Sequence, residues 1–146
     1  MADPRLSVSY EDAGALRLTF KIDNSTITYS ATANGGSSQV GLAVRLSAAD
    51  TVALTQAGSA VLGKLILVES DNMATVQVKG VVTLPAGTGH AGNNVITLGC
   101  KIVGDVSTAA EGYIRGMTTN AWNADNVLGR GVVLDLGTTT AVEVLL

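Results

Sequence analysis

Chemistry first suggests itself at Gly87-Thr88-Gly89-His90-Ala91-Gly92, where the spacing is G-x-G-x-x-G. A dinucleotide site built on that pattern needs a helix to open directly after the glycines. Its N-terminal N–H groups and dipole then hold the pyrophosphate. Here Asn93-Asn94-Val95-Ile96-Thr97-Leu98 follows and leads toward another strand. The pattern is therefore expected to be a glycine-rich β connection that binds no nucleotide. His90, the sole histidine, lies inside it with no partner nearby in sequence and reads as a solvated loop residue.

The carboxylates form no better constellation. Glu11 and Asp12 are adjacent, so on a strand they would point to opposite faces. Glu69 and Asp71 fall in Glu69-Ser70-Asp71-Asn72, which reads as a turn. Glycoside hydrolysis needs two carboxylates facing each other across a cleft. Aromatic residues usually hold the sugar, and only Trp122, Phe20 and three tyrosines are present. Asp71-Asn72 and Asp125-Asn126 lack the run of oxygen ligands that calcium requires. No G-x-S-x-G occurs, and Cys100, the one cysteine, sits in the strand-like run Ile96–Ile102. A small buried hydrophobe is its expected role. The expectation is a protein with no catalytic, metal or cofactor site.

Composition narrows the partners. Hydrophobic residues make up 47% of the chain but charged residues only 14%, about half the usual quarter. Cores are apolar in every globular protein, so the shortage falls on the surface. Such a surface suits a protein that works packed against neighbours. A net charge of −3, with basic residues never side by side, argues against nucleic acid. The uncharged stretches Ser25–Val44 and Gly80–Cys100 are interrupted by turn formers, so neither is expected to cross a membrane as a helix. The N-terminus lacks the apolar run of a signal peptide, so synthesis in a cytoplasm without general secretion is expected.

The elements that must carry any function are strands. Leu16, Leu18, Phe20 and Ile22 alternate with Arg17, Thr19 and Lys21, the period of a strand with one apolar face. Ala15–Ile22 and Thr26–Ala31 are expected to form a hairpin around Asp23-Asn24-Ser25. After the loop Ala33–Ser38, short strands are predicted at Val40–Leu46, Thr51–Leu54, Val61–Val68, Thr75–Leu84, Val95–Val103, Gly112–Arg115, Val132–Leu136 and Ala141–Leu145. A helical turn is possible only at Ser47–Asp50 or Thr118–Asp125. The class is all-β, a small barrel or sandwich of short strands. Residues 1–32 form an N-terminal arm and hairpin, and residues 33–146 a barrel-like domain. Leu62–Val78 can be laid over Leu128–Val144 without a gap; a genuine duplication would imply two related strand-turn-strand lobes. Met117–Asn126 follows neither period. Its Trp122 is either a lid over the core or an anchor in a partner.

Val40-Gly41-Leu42-Ala43-Val44-Arg45-Leu46, Thr51-Val52-Ala53-Leu54, Val61-Leu62-Gly63-Lys64-Leu65 and Thr75-Val76-Gln77-Val78-Lys79-Gly80-Val81-Val82 together carry a pattern. A glycine-led strand, a short valine-bearing strand, a glycine-bearing turn and a V-x-V-x-G strand resemble the capsid decoration, or cement, proteins of tailed bacteriophages. Ala91–Gly116 resembles the next segment of that family, and the likeness covers about two-thirds of the chain. Met1–Tyr29 and Met117–Asn126 do not match it. The resemblance implies a trimer or similar cluster on the exterior of the virion capsid, bound to the major capsid protein, with no cofactor and no catalysis. It also implies reach through a terminal arm. On that basis the expected contacts are Leu6, Tyr10, Leu16 and Phe20 of the N-terminal segment, with Trp122. The rivals are a tail or baseplate β-domain, which would self-assemble into rings or tubes, and a small trimeric β-fold enzyme resembling nucleotide hydrolases.

Overall fold

A computed structural model describes residues 12–87, 96–105, 111–117, 129–138 and 141–146. Its strands are β1 (Leu16–Ile22), β2 (Ala43–Ala48), β3 (Thr51–Leu54), β4 (Gly63–Val68), β5 (Met73–Lys79), β6 (Val81–Pro85), β7 (Ile102–Gly104), β8 (Ile114–Gly116), β9 (Val132–Thr138) and β10 (Ala141–Leu145). The chain is all-β, as the alternation predicts. Strands β1 to β5 close into a barrel in the order β1-β3-β2-β4-β5. A three-stranded sheet, β6-β10-β9, and the pair β7-β8 form a second lobe.

Each lobe has its own core. Ile22, Ile27, Val44, Val52, Leu65, Val68 and Val76 fill the barrel. Val61, Val82, Leu84, Ile102, Ile114, Val133 and Val144 fill the second lobe, and Ala43 joins them from β2. Neighbours on one strand, Ala43 and Val44, thus point to different cores, as the two-residue period requires. β5 is likewise covered on both sides. Val76 and Val78 face the barrel, while Gln77, wholly buried, donates from Nε2 to the Val81 carbonyl at 3.2 Å.

Several expected elements resolve differently. Thr75–Leu84 is two strands, broken at Gly80, whose φ is +95°. A Cβ there would lie 2.6 Å from the Ala13 carbonyl oxygen, so only glycine fits the corner between barrel and sheet. Val95–Val103 shortens to β7, because a turn at Leu98-Gly99 ends the run and leaves Cys100 half-buried against the second core. Ser47–Asp50 is not helical: β2 runs to Ala48 and a turn follows. Glu69–Asn72 is the expected turn, closed by Asn72 N–H donating to Glu69 O at 3.1 Å. β6 ends at Pro85, and Gly87, two residues beyond it, donates to Ile114 O at 2.9 Å; the rest of the glycine motif lies outside the described residues.

The N-terminal hairpin is replaced by a barrel strand. β1 pairs antiparallel with β5 along its length and parallel with β3 at Lys21 and Ile22. Thr26–Ala31 is not a strand, and Asp23 supplies the reason. Its carboxylate accepts from the N–H groups of Thr26 and Ile27, both at 3.0 Å, and from the Thr26 hydroxyl at 2.8 Å. Those amides are therefore unavailable to a returning strand. The two segments that overlay in sequence, Leu62–Val78 and Leu128–Val144, hold the antiparallel hairpins β4-β5 and β9-β10, but their registers differ. Leu67 faces Thr75, whereas their counterparts Val133 and Ala141 face Val144 and Thr138, so residues equivalent in the overlay do not pair equivalently.

The Arg130 side chain is among those that link the lobes. Arg130 exchanges backbone hydrogen bonds with Ile102 at 2.9 and 3.0 Å. Its guanidinium reaches back to the barrel, where Nη1 donates to the Leu62 carbonyl at 2.6 Å and Nη2 to the Val78 carbonyl. Arg130→Ala would leave both carbonyls unanswered at the junction and is expected to lower unfolding free energy by about 3 kcal/mol in denaturant titration. Arg130→Lys, with a point charge in place of a planar fork, should recover only part of that loss.

Asp23 has a pH signature. Burial pushes its carboxyl upward, but hydrogen bonds from the Thr26 and Ile27 amides, the Thr26 hydroxyl and the Ser25 amide outweigh burial and hold it below its ordinary value of 3.8. A depressed folded-state value stabilises the fold above the unfolded value, and the gain disappears as pH falls through the folded one. Asp23→Asn should therefore cost about 1–2 kcal/mol near neutrality. The gap to the parent should close below pH ~4 when both melting curves are followed into acid.

Candidate functional site

The described strands present two apolar surfaces. No group of three or more His, Cys, Asp or Glu residues among the described ones is placed to hold a metal ion. No helix among them is long and apolar enough to cross a membrane.

The first surface is β1. Leu16 and Leu18 stand on the face that at Ile22 points into the barrel, yet they are 48% and 45% exposed. Barrel closure explains this, because β3 meets β1 only at Lys21 and Ile22. The half of β1 preceding that point continues along β5 with no described strand on its other side. Its backbone is open there too. Ile22 N–H donates to Asn72 O at 3.1 Å on the β5 side, and Lys21 N–H to Asp50 O at 2.8 Å on the β3 side. Alternation then turns the N–H and C=O of Thr19 outward. Arg17 and Lys21 flank this edge, and Arg17 is tied to Asp12 at 3.2 Å.

The second surface is β9 with the end of β10. Val132, Leu134 and Leu136 are each about two-fifths exposed, as is Leu145, the ladder partner of Val132. Val133, between them, is buried in the second core. Asp135 faces Glu143 and Val133 faces Val144, so Leu134 is an extra residue, a bulge that bends the strand.

Of the expected contacts, Leu16 belongs to the first surface. Phe20, two steps of the alternation further along, packs half-buried against the barrel core. Leu6, Tyr10 and Trp122 lie outside the described residues. Sequence reasoning did not single out Leu18 or the β9 row. The signal for the latter is present in Val132-Val133-Leu134, where apolar residues fail to alternate with polar ones. A strand apolar on both faces is built to be covered on both faces.

A third feature is an open depression of about 290 Å³ on the seam between the lobes, lined by Arg45, Leu46, Val61, Leu62 and Arg130 among others. Arg45 Nη2 donates to Gln56 Oε1 at 3.2 Å, and Gln56 Nε2 in turn to Glu111 Oε1 at 3.4 Å. Arg45 Nε is buried and has no acceptor among the described residues. Burial pushes the Arg130 guanidinium below its ordinary value, because it strips water from the charged group.

Compared with protein-family models, with curated proteins and with solved structures, the chain matches none.

Proposed function

We propose that this chain is a structural virion protein that binds the outside of a phage capsid and clamps adjacent major capsid subunits. It acts as a homo-oligomer, a trimer, and catalyses nothing. The observation that carries this reading is the apolar surface left on β1 and β9, on strands whose other edges or faces are built into a rigid barrel and sheet. The resemblance of Val40–Leu84 to decoration proteins gives the reading its identity, and the low surface charge agrees with it. Few charges mean little desolvation loss when such a surface is buried. A shell repeats each contact many times, so a modest affinity per joint is enough. Self-association has a plausible geometry in two unlike surfaces, β1 flanked by Arg17 and Lys21 and β9 carrying Asp135. Unlike surfaces that meet head to tail close into a ring when the rotation allows.

The test is solution mass by light scattering, followed by sedimentation with undecorated heads. A trimer that sediments with the heads supports the reading; a monomer that ignores them overturns it. Leu18→Asp should weaken head binding or trimer formation by at least about tenfold, because a buried apolar anchor is worth roughly 2 kcal/mol. Its melting temperature should stay close to the parent's, since Leu18 is already exposed. Removal of residues 1–11 should also weaken head binding, and unchanged binding would eliminate the arm from the contact.

A further inference from the structure

We infer that the depression between the lobes is a binding site for a carboxylate carried on an acidic segment of a partner polypeptide. Two guanidinium groups, Arg45 and Arg130, line it, and no acidic residue stands among the lining residues. Like charges sharing one depression repel, and an anion between them removes that repulsion. Arg130 adds a second reason. Its Nη1 and Nη2 are answered by backbone carbonyls, which satisfy hydrogen bonds without neutralising charge. Arg45 adds a third, since among the described residues no carboxylate meets its guanidinium directly. Its one described side-chain partner, Gln56, is neutral and passes the contact on to Glu111.

The walls decide the kind of anion. Leu46, Val61 and Leu62 are aliphatic, and the Ser59 hydroxyl is already committed to Gln56, donating to its carbonyl at 2.8 Å and accepting its amide at 2.9 Å. A phosphate would find two arginines and little else. A glutamate side chain lays its methylenes on the aliphatic wall and its planar carboxylate against the guanidinium groups. The site lies on the seam where Arg130 joins the barrel to the second sheet, so an occupied site also ties the two lobes together.

The experiment uses the full chain, a blocked tetrapeptide with two glutamates, its glutamine twin and sodium acetate. Arginine Nε–Hε resonances are followed by NMR. The expected result is a saturable shift at Arg45 and Arg130 with the glutamate peptide, and none with the twin or with acetate at equal concentration. Arg45→Gln, which leaves the Arg130 junction intact, should weaken the response at Arg130 at least about tenfold, as loss of a charge-assisted partner does. Raising salt from ~50 to ~200 mM should weaken it further. Equal binding by the glutamine twin, unchanged affinity in Arg45→Gln, or no response to the glutamate peptide overturns the site. Saturation by acetate at the same concentration overturns the polypeptide as its source. Because the probes are synthetic peptides, failure here leaves head binding untouched, and failure of head binding leaves this result standing.

Discussion

The Arg130 guanidinium, held by the carbonyls of Leu62 and Val78, is the interaction on which the two-lobed arrangement turns. The barrel and the second sheet each have an apolar core, and each core is small. Hydrophobic burial is non-directional and would tolerate many mutual orientations of two such lobes. A planar fork that must meet carbonyls before β4 and near the end of β5 tolerates few. The backbone of the same residue is paired with Ile102 on β7, so one position fixes both lobes at once. The glycine corner at Gly80 supplies the covalent side of the joint. It sends β5 out of the barrel and into β6 within a single residue.

A rigid seam has consequences at the periphery. Strand β5 is spent on both faces and both edges, with β1 and β4 alongside it. Strand β1, its neighbour, is closed against β3 only at one end. The unpaired half is held straight by β5 and still has leucines on its inner face. An apolar strand with one open edge is normally a hazard, since it offers a template to any extended chain. Arg17 and Lys21 limit that hazard, because a second strand bringing like charges opposite them is disfavoured.

The fold class was readable from period-two alternation, and the strands at Thr51–Leu54 and Ala141–Leu145 lie where that pattern puts them. What alternation does not carry is partnership. Leu16 to Ile22 signals a strand, but nothing local says that its neighbours are β5 and β3, far along the chain. The hairpin expectation failed because Asp23 was read only as a turn former. Its carboxylate in fact captures the amides that a returning strand would need. Exposure is not legible in the alternation: Leu16 and Phe20 share one apolar face, yet Leu16 stands open while Phe20, nearer the closed end of the barrel, packs against the core. Arg130 gave no signal at all, because its role depends on carbonyls brought to it by folding.

The two exposed apolar surfaces differ in kind, and the difference bears on what can cover each. β1 offers an edge, with Thr19 backbone groups free among the described residues, so it can be extended by another strand as well as covered by side chains. β9 offers a face whose backbone is already paired with β10, and on its other side Gly99 donates to the Val133 carbonyl. Only side-chain packing can cover that face, and the bulge at Leu134 makes it convex or kinked rather than flat. A partner for β9 must therefore match a specific shape, whereas a partner for β1 must above all supply an extended backbone and tolerate two positive charges. Two surfaces with such unlike requirements are poorly suited to bind one another symmetrically across a two-fold axis. They suit either two different partners or a head-to-tail ring.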